Sequence, residues 1–124
     1  MQKINRWWPV FLWAGLIFVG SSLPVVKTST SYWEDFILKK LVHLLEYAAL
    51  YLFLYRATYR NWQQALAISI VYAITDEIHQ SFTPGREPAI RDVIIDSTGA
   101  SVAGIILWKY QPILPKKLKN WLLK

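Results

Sequence analysis

The chain has no cysteine. Disulfides, thiolate metal sites and cysteine nucleophiles are therefore excluded, and redox chemistry gives no hint of the compartment. Glycine is sparse, at five residues, and there is no internal repeat and no low-complexity tract. Charge is thin as well: 18% of the 124 residues are Asp, Glu, Lys or Arg, against 54% hydrophobic. Charge is missing altogether from Trp7 to Val26, WWPVFLWAGLIFVGSSLPVV. At about 1.5 Å per residue in a helix, such a run reaches across a hydrocarbon layer of ~30 Å. The length allows a single domain, 1–124, and no more.

A basic flank (Lys3, Arg6) before an apolar run also fits a signal peptide, with GSS imitating a cleavage site. The length of the run and the hydrophobic segments after it favour a retained span. Three later segments are also long enough: 36–55, 64–82 and 90–110. The connections RATYRNWQ and TPGREP separate them, the second with two prolines and a glycine that break a helix. The expectation is an all-α polytopic membrane protein, four transmembrane helices at about 7–26, 36–55, 64–82 and 90–110 in a compact bundle.

The formal net charge of +6 does not point to nucleic acid, because the basic residues are not interleaved along one face. They gather at the ends of hydrophobic runs, as topology signals do. With four spans, Lys3, Arg6, Arg56, Arg60, Lys109 and the lysines after Pro115 share one side. The other side tempers its cations with Glu34, Asp35, Glu87 and Asp92. Both termini are then expected in the cytoplasm, in a bacterial cytoplasmic membrane crossed several times.

That orientation brings the ionisable residues together. Lys40, His43 and Glu46 fall in the outer half of the second helix, Asp76, Glu77 and Gln80 near the outer end of the third. Asp92 and Asp96 open the fourth. At ~3.6 residues per turn, Lys40, His43 and Tyr47 share one face, and Asp76, Glu77 and Gln80 fall within about a third of a circumference. Asp92, Asp96, Gly99 and Ala103 form one stripe, with Ile94, Ile95, Val102, Ile105 and Ile106 toward the other side. Gly99 and Ala103, and Ala100 and Gly104, are small residues four apart, a spacing that lets helices pack closely.

A carboxylate inside hydrocarbon is costly, so these residues are read as a polar pocket open to the outer leaflet. A structural network, with Arg86 clamping carboxylates, is the plain alternative. His43 suits general acid or base work, with Glu77 and Asp92 as carboxylate partners. Arg86 offers a fork for a phosphate or carboxylate, while Lys40, Gln80 and Asp96 position the ligand. Gly99, Ala103 and Gly104 are assigned to packing. Asp92 and Asp96 with Glu77 could hold a hard divalent cation such as Mg²⁺. No His-x-x-His or Glu-x-x-His pair supports one, so no cofactor is assigned and no metal ligand named. His79 lies beside the main face and suits a helix end or interface.

KLVHLLEYAAL (Lys40 to Leu50), DEIHQSFTPGREPAIRDVIIDSTGA (Asp76 to Ala100) and SSLP (Ser21 to Pro24) together resemble the VanZ-like membrane proteins. The family pattern falls on Lys40 and His43, Glu77 and Gln80, Pro84 and Arg86, then Asp92, Asp96 and Gly99. Asp96 departs from it, standing where the family often has Asn and adding a negative charge. The resemblance covers nearly the whole chain and implies a four-helix bacterial membrane protein. It also implies a part in handling envelope lipids or lipid-linked intermediates, and a link to the glycopeptide teicoplanin, resistance to which is associated with the namesake. The expected partner is therefore a membrane lipid or lipid-linked head group, bound or modified with His43 as acid or base. A small transporter or proton-coupled channel carrying protons on Glu46, Glu77 and Asp96 is the alternative from another class. A third is a non-catalytic membrane interaction subunit.

Overall fold

A computed structural model describes residues 2–22, 32–82 and 90–123. Its described elements are all helical: α1 (Gln2–Ser22), α2 (Tyr32–Ala57), α3 (Trp62–Gln80), α4 (Ile90–Tyr110), a 3-10 turn (Gln111–Ile113) and α5 (Lys116–Leu123). The four expected helices are all present, and α4 has the expected bounds. α1 begins earlier than the apolar run, and residues 23–26 of the expected span lie outside the described residues.

No helix among the described residues is long and apolar enough to cross a membrane. Length alone is not what they lack, since the 21 residues of α1 extend for about 31 Å. Uninterrupted apolarity is lacking: α2 contains Glu34, Asp35, Lys39, Lys40 and Glu46, and α4 contains Arg91, Asp92, Asp96 and Lys109. The helices of the expectation are present; their four crossings are not evident helix by helix.

α2 is the central helix, packed against α1, α3, α4 and α5. Its buried Tyr47, Leu50 and Leu54 meet Val10 and Ile17 of α1, Ala65 and Ala73 of α3, and Ala100 and Ala103 of α4 in one core. Small residues set how closely α4 approaches. A Cβ added to Gly99 would overlap the Leu44 carbonyl oxygen and lie 3.1 Å from Leu44 Cα. One added to Gly104 would lie 2.9 Å from the Tyr51 hydroxyl. The small-residue stripe read from the sequence is the α2–α4 contact.

The α2–α3 connection is a tight turn. Thr58 Oγ1 donates to the Leu54 carbonyl at 2.8 Å, and the Arg60 N–H donates to the Tyr55 carbonyl at 2.8 Å. Tyr59 and Arg60, with φ of 55° and 69°, take the left-handed conformation that ends a helix. Asn61 then caps α3, its side chain accepting from the Gln64 N–H at 3.0 Å.

Arg56 joins three helices at this end. Pro9 lies inside α1 and has no N–H, so the Asn5 carbonyl one turn earlier loses its helical donor. Arg56 Nη1 supplies the replacement, donating to Asn5 O at 3.0 Å. Its Nε donates to Trp121 O of α5 at 3.0 Å, and its guanidinium lies over the Trp121 ring. Arg6 returns the link by donating to Arg56 O at 2.8 Å. The α5 helix was not anticipated, because KKLKNWLL is short and mixed in character. Docking compensates for its short length: Leu122 is buried and Trp121 packs edge-on against Phe53.

The bundle's exterior is apolar to an unusual degree. Large hydrophobic side chains stand exposed on every long helix, among them Phe11 and Leu16 of α1, Leu45 of α2, Val71 of α3 and Ile94 and Ile105 of α4. Buried beneath them are Asp76, Glu77, Gln80 and Asp96. Buried carboxylates beneath so many exposed apolar side chains are unusual, since carboxylates are seldom fully buried unless paired.

Candidate polar site within the helix bundle

Helical spacing delivers the site residues. On α3 the buried positions are Ala65, Ser69 and Ala73, then Asp76, Glu77 and Gln80. Steps of three and four keep them on one face, which starts small and ends polar. On α4 the buried face runs through Asp96, Gly99, Ala100 and Ala103. The stripe on α2 supplies Lys40, His43 and Tyr47, so α2, α3 and α4 each present polar groups at one end of the bundle.

The contacts resolve into three groups. Lys40 Nζ pairs with Asp92 Oδ1, joining α2 to α4 in a half-buried position. His43 Nδ1 lies 3.3 Å from Asp96 Oδ1. These two atoms are within ion-pair reach but lack the alignment of a hydrogen bond, and neither has a hydrogen-bond partner among the described residues. Asp76 is held by its other neighbours: Gln80 Nε2 donates to its Oδ2 at 3.1 Å, and the buried Tyr47 hydroxyl donates to the same oxygen at 3.4 Å. Gln80 Nε2 also donates to Ser21 Oγ at 3.3 Å, tying α1 to the site.

Most of the residues singled out in the sequence meet here, with altered pairings. Asp92 was expected beside His43 and is instead bound by Lys40; the recorded carboxylate neighbour of His43 is Asp96. Glu77, the other expected partner, is buried on the same face of α3. Arg86, with the rest of TPGREP, lies outside the described residues. His79 keeps the interface place read for it, stacking on Phe18 with ring centroids 4.2 Å apart and hydrogen-bonding Ser22 Oγ at 2.8 Å. Gly99, Ala103 and Gly104 lie along the α4 seam.

Asp76 is the residue that the sequence puts in the polar layer without a role of its own. Its signal was the run of small residues at 65, 69 and 73, which marks the face that turns inward and ends on Asp76 and Gln80. With Asp92 paired to Lys40, the three carboxylates that could have held a cation, Glu77, Asp92 and Asp96, are not the group that converges. The donors that converge belong to His43, Asp76 and Asp96, each offering one atom, all within 4.8 Å of one another.

A separate cavity of about 510 Å³ opens between α2, α3 and α4 toward the other end, lined by Tyr51, Tyr55, Trp62, Leu66, Gly104 and Trp108 among others. Its wall is mostly apolar and aromatic, and it includes none of the polar-site residues.

The order of these residues along the chain and their meeting in one layer can be compared with known proteins. A family model described as VanZ/LLP1 matches residues 4–114. The chain belongs to the VanZ/LLP1 family. The match spans α1 to α4 and the turn after them, so the whole polar layer lies within the VanZ/LLP1 domain, and α5 lies beyond it. No curated protein and no solved structure gives a match.

Proposed function

We propose that this VanZ/LLP1 chain is a multi-pass protein of the bacterial cytoplasmic membrane that binds, and can chemically alter, the anionic head group of an envelope lipid or lipid-linked intermediate. One observation carries the reading: the bundle buries Asp76, Glu77 and Asp96 together with Gln80 at one level and exposes large apolar side chains on every long helix. A hydropathy average taken along one helix mixes both faces, whereas lipid meets only the outer one. Asp76, Glu77 and Asp96 lower the average of their helices yet face other helices, as intramembrane charges do.

The ends differ as a membrane orientation requires. Arg6, Arg56, Arg60 and the lysines of α5 gather at the end away from the polar layer, which favours that end in the cytoplasm and the layer toward the outer leaflet. α5 fits the interface, with Lys116 and Lys117 exposed and Leu122 buried against the bundle. In this reading His43 is the acid or base, oriented by Asp96 rather than by Asp92. Arg86 favours the ligand's negative charge beside the Lys40–Asp92 pair, and Glu77 and Gln80 complete the polar wall. A transporter would need polar groups continuing through the bundle. Beyond Tyr47 the described core of α2 continues as Leu50 and Leu54, which makes that reading the weaker one.

The test is to substitute His43, Glu77, Arg86 and Asp92 singly by Ala, confirm insertion, and compare the lipid profile and teicoplanin sensitivity of cells with those of the unaltered protein. Changed profiles in the inserted variants support a head-group site. If all four insert and match the unaltered protein in both assays, the reading is wrong.

A further inference from the structure

Three helices bring an imidazole and two carboxylates to one buried point, and each leaves an atom there unused. His43 Nδ1, Asp76 Oδ1 and Asp96 Oδ1 have no hydrogen-bond partner among the described residues. Asp76 and Asp96 are only 4% and 2% exposed. Buried carboxylate oxygens left unmatched cost free energy that a folded protein recovers with a proton, a donor or a cation. We propose that His43, Asp76 and Asp96 bind a divalent first-row transition-metal ion of the Zn²⁺ type.

Charge selects the valence. Two carboxylates and a neutral imidazole carry −2, so a divalent ion brings the cluster to zero; a monovalent one leaves a net charge in a low-dielectric layer. The neighbouring pair needs no such help, because Lys40 already neutralises Asp92. Donor type selects the metal. Imidazole nitrogen suits Zn²⁺ and its neighbours, whereas Mg²⁺ and Ca²⁺ take oxygen alone.

The geometry agrees. Two ligands bound at ~2.0–2.1 Å and spread by a tetrahedral angle stand about 3.3–3.4 Å apart. The separation of His43 Nδ1 and Asp96 Oδ1 is 3.3 Å. Such a separation suits two ligands of one ion and explains why the pair lacks hydrogen-bond alignment. Asp76 would have to close in by up to about 1.4 Å, since the full set of donors lies within 4.8 Å and a tetrahedral pair stands about 3.4 Å apart. Its orientation is already prepared: Gln80 and Tyr47 both donate to Oδ2, which leaves Oδ1 to the cluster. Hydrogen bonds to the far atom of a ligand are what a metal site uses to aim it.

Three protein donors leave a fourth position open. A phosphate or carboxylate oxygen of a head group would fill it, an extension that rests on the proposed function while the ion site itself does not. An ion held on Nδ1 would take the place of the acid or base role proposed for His43 above, so the metal measurement also decides between those two roles.

Equilibrium dialysis of the full chain in detergent against Zn²⁺, Co²⁺ and Mg²⁺, read by elemental analysis, tests the site. One Zn²⁺ or Co²⁺ per chain is expected, with Mg²⁺ held far more weakly. Gln80→Ala should weaken Zn²⁺ binding by about 10- to 100-fold as a lost supporting contact, and His43→Ala, Asp76→Asn and Asp96→Asn by more. Glu34→Gln, a carboxylate change elsewhere on α2, should leave it unaltered. Because a ligand variant can fail to fold, the unaltered protein supplies a second readout: bound Co²⁺ should give visible absorption bands that Zn²⁺ abolishes. Absence of retained Zn²⁺ and Co²⁺, or binding that survives the three ligand substitutions, overturns the proposal. Metal binding with unchanged lipid profiles would leave the ion site standing and remove the head-group reading; changed profiles without metal would do the reverse.

Discussion

Gly99 of α4 sits against the backbone of Leu44 on α2, with no room for a side chain between them. Leu44 follows His43, and Gly99 lies one turn beyond Asp96. The approach that a hydrogen at Gly99 permits therefore sets the separation of His43 and Asp96. Gly99→Ala should push α4 away and destabilise the bundle by about 1–3 kcal/mol, an overpacking cost. Gly15 has nothing within 4 Å of an added Cβ, so Gly15→Ala should be neutral or stabilising by up to about 1 kcal/mol. Unfolding in detergent, followed by circular dichroism, measures both.

Arg56 and Pro9 should be coupled although they lie on different helices. Arg56→Ala removes the donor to the Asn5 carbonyl, whose helical donor is missing because residue 9 is proline. In a Pro9→Ala background the helix supplies its own N–H, so the same substitution should cost less, by about 0.5–1.5 kcal/mol. A double-mutant cycle reads the difference. A cycle that closes at zero would mean that Arg56 acts only through Trp121.

His43 and Asp96 should also behave as a unit. His43→Ala leaves the buried Asp96 carboxylate without its neighbour and should destabilise by about 1–3 kcal/mol. Replacing both residues by Leu removes the charge with its partner and should recover much of that loss. Equal losses in the single and double variants would show that packing, not charge, decides the site.

Gln80 bridges Ser21 of α1 and Asp76 of α3, whereas the Tyr47 hydroxyl reaches Asp76 at a longer 3.4 Å. Gln80→Leu should therefore cost more than Tyr47→Phe: about 1–3 kcal/mol for the unmatched partners, against less than about 1 kcal/mol.

The absence of cysteine makes topology easy to read. Ile90 and Ile113 are both exposed and lie at opposite ends of α4 and its following turn. In intact cells Ile90→Cys should react with a membrane-impermeant reagent, and Ile113→Cys only after lysis. The reverse pattern would invert the orientation and move the polar layer to the cytoplasmic leaflet.

Much of this molecule could be read locally. Helix positions follow from apolar runs and their breakers, and the inward faces of α2, α3 and α4 follow from steps of three and four residues. Those steps put Lys40, His43, Asp76, Gln80 and Asp96 on buried or half-buried faces, and placed the seam on Gly99, Ala103 and Gly104. α5 was not legible, because eight mixed residues have no helical preference strong enough to stand out; Arg56 and Phe53 supply what its sequence lacks.

Sequence by itself determined which residues each helix turns inward, because helical periodicity is a property of one strand of chain. Which inward groups meet was decided by tertiary structure alone. Helix rotation and the close approach at Gly99 set His43 against Asp96, gave Asp92 to Lys40 and drew Asp76 into the centre. Those distances arise between helices, and no spacing along one helix encodes them.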